Sequence, residues 1–207
     1  MRGPRALAAA VALALAAAGL AGCGRGDPSD VPDAAPRLPV STYVAVGTDE
    51  TLGAGTTRPL TEAWPQVLFR TAMPRNTVFV NAAESGATVA DALRDQLPLA
   101  LHLRPTVVTV WLSSDDLAEG VPVATYQRQL RELVHALRRG GATDVLVATV
   151  QGAGRPRATV AAYNRAITTV AGAEGAEVVD ITGLSLGAEP DAAGHARIAA
   201  RFAAKLR

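Results

Sequence analysis

The 207 residues carry 20 basic and 19 acidic side chains, a formal net charge of +1, and 49% of them are apolar. That near-balance builds no basic footprint for nucleic acid, and the apolar fraction is enough for one globular core. A single cysteine excludes an intrachain disulfide framework.

The chain opens on a short basic stretch, Met1 to Arg5, followed by an uncharged apolar run from Ala6 to Gly22. This order, with small residues at its end, predicts an export signal. The run is alanine-rich and shorter than the roughly 20 strongly apolar residues of a spanning helix. It closes on Leu20-Ala21-Gly22-Cys23, which resembles the bacterial lipobox. The resemblance implies cleavage before Cys23 and diacylation of its sulfur, and two acyl chains suffice for stable anchoring. The expected organisation is a signal peptide over 1–22, a lipidated N-terminus and flexible tether over 23–40, and one α/β domain over 41–207. The tether follows from Gly, Pro, Asp and Arg in place of a buriable apolar surface. The expected location is the extracytoplasmic face of the membrane.

Within the domain, Tyr43–Val46 reads as a first buried strand and residues 61–72 as a helix. Thr77–Val80 is the second strand, followed by a helix over 88–103. Thr106–Leu112 is the third, followed by the clearest helix, 122–139. There Tyr126, Leu130, Leu133, Val134 and Leu137 recur at helical spacing until Gly140-Gly141 ends the pattern. Asp144–Val150 and Ala176–Ile181 are the fourth and fifth strands, with helices over 157–173 and 191–206. The strands are β-branched and apolar on both faces, as a covered parallel sheet requires. Strand–helix alternation then predicts a doubly wound, three-layer α/β/α domain of flavodoxin-like type with five parallel strands. In such a fold ligands meet the carboxyl ends of the strands.

Four segments fall at those ends, 47–55, 81–88, 113–117 and 187–195. Read in order, they resemble the conserved blocks of the SGNH or GDSL-type hydrolases. Val44-Ala45-Val46-Gly47 and Gly53 are similar to the first block, Asn81 with Ser85-Gly86-Ala87-Thr88 to the second, and Trp111-Leu112 with Asp116-Leu117 to the third. Pro190-Asp191-Ala192-Ala193-Gly194 is similar to the segment after the family's histidine. The resemblance implies ester hydrolysis by a serine, with a histidine base, an orienting aspartate and an oxyanion hole of serine N–H, glycine N–H and asparagine side chain.

Position by position, most of that machinery is replaced. The nucleophile position holds Asp49, the glycine is kept as Gly86, the asparagine position holds Asp115, the histidine position Glu189 and the orienting position Leu186. A carboxylate at 115 accepts where the reaction needs a donor, and losing one such donor costs about 10²–10³ in rate. His195 reads as a partly exposed residue of the last helix, and His102 and His135 as structural or solvated. Thr48, Thr51, Ser85 and Ser113 read as loop and cap residues.

Asp49, Asp115 and Glu189 are expected to converge on one cleft, with Glu50 and Asp116 at its rim. Such carboxylates either splay into water, share a proton or hold a hard cation such as Ca²⁺ or Mg²⁺. No cofactor is required by the residues. Two functions stay open. One is a lipoprotein with a non-catalytic domain that binds a small-molecule or cell-envelope ligand. The other is an extracytoplasmic hydrolase with an altered, carboxylate-based site.

Overall fold

A computed structural model describes residues 40–152, 154–187 and 189–207. The expected signal segment, Cys23 and all but the last residue of the tether lie outside the described residues. Five strands form one sheet, β1 (Ser41–Gly47), β2 (Thr77–Asn81), β3 (Val107–Trp111), β4 (Asp144–Ala148) and β5 (Glu177–Val179). Every pairing is parallel and the order is β2-β1-β3-β4-β5. The three-layer, doubly wound α/β/α arrangement expected from the sequence is therefore the one observed.

The period-two alternation of a strand sends neighbouring residues to opposite faces. Val44 and Val46 of β1 pack with Val108, Val110, Val145 and Val147 against one helical layer. That layer consists of a helical run made of α4 (Val89–Asp91), a π-helical turn (Ala92–Gln96) and α5 (Leu97–Leu103), together with α7 (Val123–Arg139) and α8 (Arg157–Glu174). Tyr43 and Ala45 face the other way, with Trp111 and Leu146, onto α3 (Trp64–Ala72) and α9 (Ala192–Ala203). Trp64 stacks flat on Phe202 there, with centroids 4.3 Å apart.

The predicted helix over 61–72 is two pieces. Ala63, at φ −56° and ψ 139°, separates α2 (Pro59–Glu62) from α3, where Pro65 sits in the first turn. Short helices also follow β1 and β3, namely α1 (Asp49–Leu52) and α6 (Ser114–Glu119). The chain leaves β1 toward β2 on one side, while β3, β4 and β5 extend on the other. The switch point lies between β1 and β3, so α1 and α6 flank the crevice where this fold holds its ligands.

Candidate functional site

The end of β1 is fixed from below. Buried Gln96, at the end of the π-helical turn, accepts the Gly47 N–H through Oε1 at 3.0 Å and donates from Nε2 to the Gly47 carbonyl at 2.9 Å. A Cβ on Gly47 would fall 2.1 Å from Thr51 Oγ1, so only glycine lets α1 fold back onto the strand end. Asn81, at the end of β2, donates from Nδ2 to the Thr51 carbonyl at 2.9 Å. The sequence offered no sign of the Gln96 clamp, because its partner is 49 residues away.

Asp49 opens α1 and reaches toward the loop after β2. Its Oδ2 accepts the Gly86 N–H at 3.0 Å, and its Oδ1 accepts the Ser85 hydroxyl at 2.5 Å. Gly86 is left-handed, at φ +70°, which turns its amide toward the site. Asp115, in the first turn of α6, accepts the Thr48 hydroxyl on Oδ2 at 2.6 Å. Thr48 Oγ1 also lies 3.5 Å from Asp49 Oδ2, so one buried threonine sits between the two carboxylates. Asp49 thus meets Gly86 directly and Asp115 through Thr48.

Asp116 is not at the rim. It is fully buried, and its Oδ2 accepts the Val89 N–H at 3.0 Å at the start of α4. Successive residues of a helical turn point about 100° apart, so the Asp115 and Asp116 side chains serve opposite sides of α6. Asp116 Oδ1 has no hydrogen-bond partner among the described residues. Burial pushes its carboxyl up to about 6, with the Val89 N–H opposing the shift. The Tyr163 hydroxyl donates to the Asp116 carbonyl at 3.2 Å and the Tyr126 hydroxyl to the Leu112 carbonyl at 3.0 Å, fixing the β3-end loop from beneath.

Glu189 approaches from the other side and is exposed. Gly55, at φ +85°, packs on this segment so tightly that a Cβ there would lie 3.0 Å from Glu189 Cβ and 2.4 Å from the Pro190 carbonyl oxygen. The loop after β1 and the segment before α9 are therefore in contact. Leu186, at the orienting position, is buried in the apolar layer.

His195 differs from expectation. It is fully buried, not a partly exposed helix residue. Its Nδ1 accepts the Trp64 backbone N–H at 3.1 Å, and its Nε2 lies 2.9 Å from the Ala54 carbonyl. The first bond requires a lone pair on Nδ1, so the proton is on Nε2 and is donated to Ala54. Burial holds the imidazole below the usual histidine range. Both ring nitrogens are engaged by main chain, which leaves no lone pair for a substrate proton. His135 lies at the surface, 2.9 Å from Glu174.

The expected Ca²⁺ or Mg²⁺ site on Asp49, Asp115 and Glu189 is not formed. Among the described residues no three His, Cys, Asp or Glu side chains are grouped to hold a metal. Asp49 is turned to Ser85 and Gly86, Asp115 to Thr48, and Glu189 outward. Each carboxylate has its own environment and no common centre.

Beside this constellation lies a cavity of about 170 Å³, bordered by Glu50, Trp111, Ser114, Leu117, Arg155 and Leu186 among others. Glu50 is half-buried, and burial, followed by repulsion from Asp115 and Asp49, pushes its carboxyl up, while its own N–H and the Ser114 hydroxyl oppose the shift.

Comparisons with known proteins agree with the geometry. A search of curated protein sequences found no match. Among solved structures, TesA superposes with a TM-score of 0.69 at 24% identity, covering 81% of this chain and 98% of TesA. The psychrotrophic esterase EstA from Pseudoalteromonas superposes at 0.65 with 20% identity, over 79% of this chain and 95% of that one. The acetylxylan esterase Axe2 from Geobacillus stearothermophilus gives 0.65 at 20% identity, over 80% and 93%. At these identities the likeness establishes the fold. The profile of the GDSL-like lipase/acylhydrolase family matches residues 44–204. With that match running from β1 into the last residues after α9, the chain belongs to the GDSL-like lipase/acylhydrolase family.

Proposed function

We propose that the chain is a lipid-anchored, extracytoplasmic member of its family whose domain binds a ligand without hydrolysing esters. The observation that carries this reading is the contact between Asp49 and Gly86. In an ester hydrolase of this plan the glycine N–H must be free to meet the oxyanion of the tetrahedral intermediate. Here it already donates to a resident carboxylate. A second oxyanion donor is replaced by Asp115, an acceptor when ionised. No histidine reaches the strand ends to carry a proton, since His195 is bonded to main chain on both nitrogens.

Several of the similar solved proteins are esterases. This chain differs from the family reaction at its nucleophile, its base and its oxyanion donor together, so the activity is not carried over with the fold. Export and anchoring rest on the apolar run from Ala6 to Gly22 and on Cys23. With two acyl chains on one sulfur, membrane attachment is stable.

Two experiments test the reading. The full chain is incubated with a fluorophosphonate, which esterifies activated serines. The expected result is no labelling; a phosphonylated Ser85 or other serine contradicts catalytic silence. In cells, Cys23→Ala should abolish acylation and release the protein from membranes or block its processing. A wild-type protein without acyl label, or a variant that fractionates unchanged, contradicts anchoring.

A further inference from the structure

The cavity beside the carboxylates has two chemically opposite ends. At the β1 end stands Glu50. Among the described residues its hydrogen-bond donors are its own N–H and the Ser114 hydroxyl, the latter at a long 3.4 Å. Asp49 and Asp115 are close enough to repel it, yet both have strong donors of their own. Glu50 is therefore the one carboxylate of the three that borders the cavity and lacks a short hydrogen bond.

At the β4 end stands Arg155. Gly152, at φ +61°, turns the loop so that the Arg155 N–H donates to the Gly152 carbonyl at 3.0 Å. Arg155 borders the cavity. Its guanidinium is exposed and forms no hydrogen bond or ion pair with any described residue. The rest of the lining is mixed: Trp111, Leu117 and Leu186, each less than a tenth exposed, give an apolar patch, and Ser114 and Gln151 add polar groups.

The two residues come from loops that follow strands on either side of β3. β1 and β4 flank β3, so the strands that deliver Glu50 and Arg155 are separated by two inter-strand steps, about 10 Å in all. The cavity of about 170 Å³ is close in size to one of about 150 Å³ that admits benzene. A molecule of that size can rest on the apolar patch and offer polar groups to Glu50 and Arg155, which form no ion pair with each other.

We infer that this cavity binds a small zwitterion whose ammonium pairs with Glu50 and whose carboxylate pairs with Arg155, with a short apolar segment lying on Trp111, Leu117 and Leu186. An ammonium relieves the repulsion that Asp49 and Asp115 impose on Glu50. A carboxylate gives Arg155 the bidentate partner that suits its planar fork. Neither a simple amine nor a simple acid satisfies both ends. The inference rests on the binding reading above and adds the class of ligand.

The test is calorimetric titration and thermal melting of the full chain in detergent with three probes of equal chain length: ω-aminohexanoate, hexylamine and hexanoate. The expected result is that ω-aminohexanoate binds and raises the melting temperature. It should bind at least about tenfold tighter than either single-charge probe, the factor that corresponds to about 1.4 kcal/mol for the second charged contact. Glu50→Gln and Arg155→Ala should each weaken it by about the same factor, while neither should lower the melting temperature without ligand. Arg155→Lys should recover part of the loss.

Equal binding of all three probes overturns the inference, as does wild-type affinity in both variants. So does the absence of heat and melting shift at millimolar ω-aminohexanoate. None of these outcomes touches catalytic silence, which fluorophosphonate labelling decides separately. A labelled serine would in turn contradict silence, whatever the zwitterion does.

Discussion

The carboxylate of Asp49 and the backbone N–H of Gly86 form a hydrogen bond of 3.0 Å. A negative charge placed on the nucleophile's own position thus occupies the donor that the family reaction directs at its oxyanion. The Ser85 hydroxyl closes the other carboxylate oxygen at 2.5 Å. Asp49 is satisfied in the resting state by two exposed donors, a poor arrangement for acyl transfer.

Restoring the lost groups should restore the chemistry only when they are restored together. Asp49→Ser alone frees the Gly86 N–H but supplies no base and no third donor, so ester turnover should stay at background. The combined variant Asp49→Ser, Asp115→Asn, Leu186→Asp, Glu189→His should turn over nitrophenyl acetate. Removing Asp115→Asn from that set should lower its rate by about 10²–10³, the usual effect of one oxyanion donor. Progress curves for the three variants check this.

His195 should behave as a structural pin. His195→Ala leaves the Trp64 N–H and the Ala54 carbonyl without partners, at a cost of about 2–4 kcal/mol in urea unfolding. The pH dependence has a definite sign. Its folded pKa lies below its unfolded value, so the unfolded state binds the extra proton. Stability is lost as pH falls below about 6.5 toward the folded pKa. His195→Gln should flatten that part of the stability–pH profile.

Asp116 should show the opposite slope. Its carboxyl is raised from 3.8 to about 6, so between those values the folded state binds more proton than the unfolded chain. Stability falls as pH rises from about 4 to about 6, by at most about 3 kcal/mol. Asp116→Asn keeps an acceptor for the Val89 N–H and cannot titrate. The difference between wild-type and variant unfolding free energies should therefore grow across that window and be constant above it.

The Gln96 clamp predicts a loss at a distance. Gln96→Leu leaves the Gly47 N–H unpaired in the interior, while the Gly47 carbonyl keeps the Glu84 N–H at 3.2 Å, and should cost about 1–3 kcal/mol. Amide exchange of residues in α1 should accelerate along with it, because that helix begins two residues past the unclamped strand end.

The strands were legible because a parallel sheet covered on both faces needs uninterrupted β-branched apolar runs, and Val107–Trp111 or Asp144–Ala148 cannot be much else. The strand-end segments were legible as an ordered set, which is why the family could be read from them. What escaped was decided by partners far along the chain. His195 sits among alanines and a glycine, a setting that gives no hint of burial, while its partners are Trp64 and Ala54. Asp115 and Asp116 are identical in type and adjacent, and only the unexpected helix α6 turns one toward the site and the other into the core. The expected metal cluster is not seen among the described residues for a related reason: Ser85 and Gly86 both hold Asp49, and Thr48 holds Asp115.

The most direct measurement is the steady-state hydrolysis of a short-chain nitrophenyl ester by the purified full chain, beside Asp49→Ala and a protein-free control. Because Asp49 fills the Gly86 donor and no histidine reaches the strand ends, wild type, variant and control are expected to give the same rate. A wild-type rate well above the control that disappears in Asp49→Ala would contradict the account and make the carboxylate itself the catalytic group.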